Sequence, residues 1–227
     1  MVSAGWSLPP GMAMVFDLDG VIVDSNPWHT RAWMLYNQHH GIDAGESVAE
    51  RMYGRRNDEI VPDFFGPHLS AAQIAAHGAA KEALYRELLG PRLAESLVPG
   101  VHDLLARHAG EPVGMATNAE PANVDFVLDK GGLRKYFRVI VDGHQVRHPK
   151  PHPEIYLLAA ELLAMRPRNC IVFEDSFSGV EAALAAGARV VGLRTTHRVL
   201  PGVDLAIDNF LSTELEPWLR SQIAEQP

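Results

Sequence analysis

The stretch AMVFDLDGV, residues 13–21, decides how this chain is read. Four apolar residues, Ala13 to Phe16, stop abruptly at a carboxylate, and Gly20 follows shortly after. A short apolar run bounded by turn residues predicts a buried strand, so Asp17 and Asp19 leave its C-terminal end together. A carboxylate placed there can attack phosphorus to form an aspartyl-phosphate. A second carboxylate two residues on can protonate the leaving oxygen, then activate the water that hydrolyses the intermediate. Gly20 lets the backbone turn sharply behind both. Taken alone, the same spacing also describes a polar turn after a strand.

Beyond this stretch the texture changes. From Pro27 to Leu89 no strand is evident, apolar residues recur at helical spacing, and glycines punctuate the run. About four helices are predicted there. After Pro91 the chain alternates. A helix fits Val101 to His108, PVGMAT reads as a strand, and a helix fits Pro121 to Lys130. FRVIV is an apolar run, a helix fits Pro153 to Met165, and CIVFED is a strand. Gly179 to Ala186 is a helix, RVVGL and LAID are strands, and an amphipathic helix near Leu211 to Ile223 closes the pattern. Strands alternating with helices predict an α/β fold, a doubly wound parallel sheet carrying an inserted α-helical bundle. The expected division is residues 1–24 with 93–227 as the core and 25–92 as the insert. In such sheets ligands bind beyond the carboxyl ends of the strands.

The 227 residues are 47% hydrophobic and 21% charged, enough to bury a core without staples. A net charge of -8 argues against a nucleic acid or an acidic membrane as main partner. No apolar run approaches membrane-spanning length. Cys170 is the single cysteine, so no intrachain disulfide can form, and a reduced, cytoplasmic setting is expected. The opening residues MVSAGWSLPPG lack signal-peptide organisation and read as a short disordered lead-in, with Met12 a possible native start.

Three further clusters follow predicted strands or lie in loops beyond them. Thr117 and Asn118 offer a hydroxyl and amides to phosphate oxygens, although alone they read more simply as a helix cap. Lys150, between Pro149 and Pro151, could neutralise charge at the phosphate, or be a solvated surface lysine. Glu174 and Asp175 could supply hard oxygen ligands to magnesium, or cap the next helix. The order nucleophile, hydroxyl, lysine, acidic pair makes phosphoryl transfer the joint reading.

DLDGV, Thr117, the lysine of KPHPEIY and EDSFSGVEAALAAG together resemble the haloacid dehalogenase superfamily, in order and spacing, over nearly the whole chain. The insert after DLDGVIVDS resembles the helical cap of the branch containing β-phosphoglucomutase and many small phosphatases. The resemblance implies Asp17 as nucleophile, Asp19 as general acid/base, and Thr117 and Lys150 as phosphate holders. It implies Mg2+ on Asp17, the carbonyl of Asp19, and Asp175, with Glu174 close by or ligating. In the mutase-like segment, His29 would assist cap closure and proton traffic, and Lys81 would reach the substrate. Each could equally be an ordinary helix-surface residue. At the position of a mutase cap arginine stands Asn57, with Arg55 or Arg56 as substitutes, and at that of a core lysine stands Glu120. These two departures favour a phosphatase acting on a small phosphorylated metabolite over a mutase. His39 and His40 fall at a predicted helix end, where a cationic imidazole suits the dipole; His144, His148 and His152 lack helical ligand spacing with a carboxylate partner, and most read as solvated. Trp28 and Trp33 read as cap core. A monomer is expected.

Overall fold

The computed structural model describes residues 7–43, 45, 48–52 and 55–223. Six strands, β1 Ala13–Phe16, β2 Val113–Ala116, β3 Val139–Val141, β4 Cys170–Glu174, β5 Arg189–Leu193 and β6 Leu205–Ile207, form one parallel sheet in the order β3-β2-β1-β4-β5-β6. β1, β2 and β4 are buried at every position, which is why they are apolar at nearly every position rather than alternating. The register sets Phe16 opposite both Met115 and Phe173, so the residues that follow these strands emerge at one edge. The strand order reverses at β1, whose end is therefore the switch point of the sheet.

The described residues divide into two compact units: 7–24 with 97–223, and Ser25–Ser96 between them. The first holds the sheet and the helices from Val101 onward. Phe16 stacks on Phe173 at 4.4 Å between ring centroids, and Phe210 packs beside both. A second cluster sets Ala13, Val15 and Val172 with Ile155, Ala159, Val180 and Ala183. These last four come from helices Glu154–Leu162 and Phe177–Ala185.

The second unit contains α1 Asn26–His39, α2 Val48–Met52, α3 Asn57–Phe65, α4 Ala71–Leu89 and the short α5 Leu93–Ser96. α4 is alanine-rich and opens on a capping box, with Ser70 Oγ accepting from Gln73 N–H and Gln73 Oε1 accepting from Ser70 N–H. Trp33, Val48, Met52, Ile60, Val61 and Phe64 form this unit's own core. The unit runs on to Ser96 rather than ending at 92, because a 3-10 turn over Gly90–Arg92 leads α4 directly into α5.

The remaining helices are α6 Val101–Arg107, α7 Pro121–Lys130, α8 Glu154–Leu162, α9 Phe177–Ala185 and α10 Leu215–Ser221. α10 is shorter than the pattern from Leu211 suggests. Asn209 and Ser212 side chains accept from the backbone N–H groups of Leu211 and Glu214, and so compete with a helical start there. The expected disordered lead-in is corrected for residues 7–11: Leu8 is buried and its N–H donates to Glu111 Oε1 at 3.0 Å. Residues 1–6 lie outside the described residues. No helix among those described is long and apolar enough to cross a membrane.

Candidate active site

Asp17 is the first residue beyond β1, and its N–H still donates to Phe173 O of β4 at 3.1 Å. Its side chain is buried, and Oδ1 accepts from Lys150 Nζ at 2.6 Å. The same ammonium donates to Glu174 Oε1 at 2.6 Å and to the carbonyl of Ala116, the last residue of β2, at 3.0 Å. Lys150 thus ties three strand ends together as a buried counter-ion and is not a solvated surface lysine. Tyr156 of α8 donates its hydroxyl to Glu174 Oε1 at 2.6 Å, with the ammonium 4.8 Å from its ring centroid.

Glu174 ends β4 with no exposure at all, and its Oε2 accepts from the N–H groups of Asp175 and Ser176. Asp175 is buried and accepts from the Thr196 hydroxyl. The helix cap after β4 is Ser176, whose Oγ accepts from Gly179 N–H at 3.1 Å, so the acidic pair is not the cap. Thr117 follows β2 with its Oγ1 accepting from Ala119 N–H, and Asn118 Oδ1 accepts from Lys150 N–H at 3.3 Å. Neither caps α7, which begins from Glu120 with Pro121 in its first turn. Asp19 is half-buried beyond the turn, its backbone bridged to Val23.

Two glycines make room for the carboxylates. A Cβ on Gly179 would lie 1.8 Å from Glu174 Oε1, and one on Gly20 would lie 1.8 Å from Asp175 Oδ2. Gly20 also has φ +72, whereas Gly187, with φ +82, has no atom within 4 Å of an added Cβ. Gly187→Ala should therefore cost about 1–2 kcal/mol from backbone conformation alone. Gly20→Ala should cost about 1–3 kcal/mol more through overpacking. Urea unfolding of both variants measures the difference, and equal losses would remove the close contact as its cause.

Electrostatics follow from burial. Burial pushes the Asp17 carboxyl up, Lys150 offsets part of this, and the result is about 7. Burial, with Glu174 and Asp17 adding to it, holds Asp175 well above the usual carboxylate range. For Glu174 burial acts upward too, but Lys150, Tyr156 and the Ser176 N–H outweigh it and leave the group lowered. Burial disfavours the Lys150 ammonium, yet Asp17 and Glu174 prevail and raise it to about 12. Asp17, Glu174 and Asp175 each bring an oxygen within 4.8 Å of the others'. Three buried carboxylates beside one ammonium form a hard-oxygen set with surplus negative charge, and this fits a divalent cation such as magnesium.

Asp17 has a folded pKa near 7, above the unfolded value near 3.8. Below pH 3.8 it is protonated in both states and costs nothing. Its ionisation opposes folding increasingly as pH rises to about 7. Glu174, lowered, acts in the opposite sense only below its ordinary range near pH 4.5. The melting temperature without metal should thus fall from pH 5 to pH 8, and the rise produced by Mg2+ should grow over the same window. A magnesium effect independent of pH would contradict this account.

Within the helical unit, Lys81 is buried, and its Nζ lies 2.9 Å from His29 Nδ1 and 2.8 Å from Glu82 Oε1. Asn57 Nδ2 donates to the same Glu82 oxygen at 2.8 Å, and His29 stacks on Tyr85. His29, Asn57 and Lys81 are thus gathered on Glu82, and His29 and Lys81 are not surface residues. Arg56 Nε lies 3.5 Å from Asp58 Oδ1, and Arg55 pairs with Asp63 at 2.7 Å. Trp33 is core, whereas Trp28 is half-buried with its indole N–H donating to Ser96 Oγ.

Sequence reasoning missed Tyr156, Glu82, Thr195 and Thr196. The two threonines lie just beyond β5, after Arg194, and Thr195 Oγ1 donates to Gly20 O at 2.6 Å. The same attention to polar residues just past strand ends would have found them.

Fold and site together define an α/β enzyme whose polar groups converge at the switch point of a parallel sheet. The chain belongs to the haloacid dehalogenase-like hydrolases, whose family model matches residues 12–187. Fructose-1-phosphate phosphatase YqaB of Escherichia coli K12 is 32% identical over 183 residues, covering 80% of this chain and 95% of the relative. Beta-phosphoglucomutase of Bacillus subtilis 168 is 30% identical over 226 residues, covering 94% and 98%. The crystal structure of a family IA, variant 3 HAD hydrolase from Entamoeba histolytica superposes with a TM-score of 0.81 at 27% identity, covering 93% of this chain and 100% of that one.

Proposed function

We propose that this chain is a magnesium-dependent phosphatase that hydrolyses a small phosphomonoester, a sugar phosphate or similar, through an aspartyl-phosphate on Asp17. Its membership among haloacid dehalogenase-like hydrolases with named phosphatase relatives makes it a phosphoric monoester hydrolase. The observation that carries the rest is the buried ammonium of Lys150 bridging Asp17 and Glu174, with Asp175 beside them. In this reading a carboxylate oxygen of Asp17 bonds to phosphorus as the ester P–O bond breaks, and Asp19 gives its proton to the departing alkoxide. Asp19 then takes a proton from water, whose oxygen attacks phosphorus and releases Asp17 and inorganic phosphate. Thr117, Asn118 and Lys150 hold the phosphoryl oxygens. Asp17, Asp175 and the Asp19 carbonyl, with Glu174 near, would hold Mg2+, which when bound adds positive charge where the transferring group is most negative.

The helical unit selects the substrate in this account, with His29, Lys81, Asn57 and Arg56 as its candidate contacts. A cytoplasmic monomer is part of the same reading; the buried Cys170 thiol, which burial raises to about 12, suits a reducing compartment. The β-phosphoglucomutase relative covering 94% of this chain supports a second reading, phosphosugar isomerisation on the same site. Against it stand Asn57, bonded to Glu82, and Glu120, a carboxylate 3.8 Å from His144, where a mutase would need cations. Phosphorus NMR with Mg2+, β-glucose 1-phosphate and a trace of glucose 1,6-bisphosphate separates the two. Free phosphate should accumulate; glucose 6-phosphate without free phosphate would establish the mutase.

A further inference from the structure

The loop that carries Lys150 holds a second cluster of ligand-type side chains, of different chemistry from the first. His148 and His152 flank the lysine on either side, and Glu154 is the first residue of α8. His148 Nδ1 lies 2.9 Å from Glu154 Oε2, and His152 Nδ1 lies 3.9 Å from the same oxygen. One ligand atom from each of the three residues falls within 4.8 Å of the others. Two donors on a tetrahedral zinc, each about 2.0–2.1 Å from the ion, stand about 3.4 Å apart. The two observed separations bracket that spacing; His152 Nδ1 now accepts from Glu154 N–H at 3.3 Å, and a ring rotation that releases this bond would free the nitrogen for an ion.

The cluster is also built from behind. Glu154 Oε1 accepts from Arg147 N–H at 2.9 Å, and Oε2 accepts from His148 N–H at 3.1 Å. These bonds orient the carboxylate as outer-shell partners orient metal ligands. They also hold it ionised, with its pKa lowered to about 2. Both imidazoles are exposed, so an ion can reach them. Asp17, Glu174 and Asp175 offer only hard oxygens, whereas two imidazoles and a carboxylate suit a borderline ion of the zinc class.

We propose that His148, His152 and Glu154 form a second metal site, selective for a borderline divalent cation such as Zn2+, that clasps the loop on both sides of Lys150. This site does not depend on the phosphatase reading, since none of its three residues has a role there.

The test is calorimetric titration of Zn2+ into the full chain saturated with Mg2+. One ion should bind with a dissociation constant below about 100 µM. His148→Ala and His152→Ala should each weaken binding by at least about tenfold. Both variants should keep a cooperative thermal unfolding transition without zinc, which verifies that they fold. Asp175→Asn should leave the zinc affinity unchanged, separating the two sites. Zn2+ should also slow amide hydrogen exchange over residues 147–152. Absence of saturable binding up to about 1 mM, an affinity unchanged in either histidine variant, or loss of zinc in Asp175→Asn would each overturn the assignment.

Discussion

Asp17→Asn is expected to lower kcat by about ten-thousand-fold or more, the scale seen when a nucleophile is removed from an otherwise complete site. The amide keeps the shape and one acceptor oxygen for the Lys150 ammonium, now 2.6 Å from Oδ1, but cannot form the phosphoryl ester. The fold should survive. Ionised Asp17 is held in a buried place that pushes its pKa up to about 7, so exchanging it for a neutral group removes an unfavourable charge. Metal-free Asp17→Asn should therefore melt no lower than wild type at pH 8. Acid quench with phosphorus-labelled substrate should trap label on the wild-type chain and none on the variant. A kcat within tenfold of wild type would refute Asp17 as nucleophile.

Lys150→Met carries the second large effect, and here stability and turnover fall together. Methionine roughly fills the volume of the lysine but leaves Asp17 and Glu174 facing each other without the cation they now share. Breaking a buried pair in this way costs about 3–5 kcal/mol. Without the ammonium Asp17 rises further above its unfolded value, and Glu174 loses the interaction that now holds it lowered against burial. The loss should thus be smallest near pH 4–5, where they can protonate, and should grow as pH rises to 8. Turnover should drop by about a hundred- to a thousand-fold, as for removal of one charge-stabilising donor. Urea unfolding at pH 5 and pH 8 checks the first part and steady-state kinetics the second. A variant equally stable at both pH values would show that Lys150 is not the balancing charge.

Much of this arrangement is legible in the amino-acid sequence, for a definite reason. Asp17, Thr117 and Glu174 stand at or just beyond strands that are apolar at nearly every position, and parallel strands in register deliver such residues to one edge. What is not legible there depends on direction rather than position. Tyr156 looks like any inward-facing residue of α8, and only the approach of Glu174 gives its hydroxyl a partner. Lys81 and Glu82 look like charges on a solvated helix, yet both are buried, joined to each other and to residues of α1 and α3. Glu154 reads as a helix-dipole residue of α8, while its oxygens in fact hold two amides of the preceding loop.

The distance along the chain between Asp17 and Lys150, 133 residues, has a bearing on biosynthesis. A ribosome adding about 5–20 residues per second takes roughly 7–27 s to pass from one to the other. For the later part of that interval β1, apolar at all four positions, is outside the ribosome while its neighbour β4 is still unmade. The helical unit, whose contacts are local, can form while synthesis continues, but the central strand must wait. During translation, therefore, AMVF is an apolar segment that needs protection from other nascent chains until β4 is made.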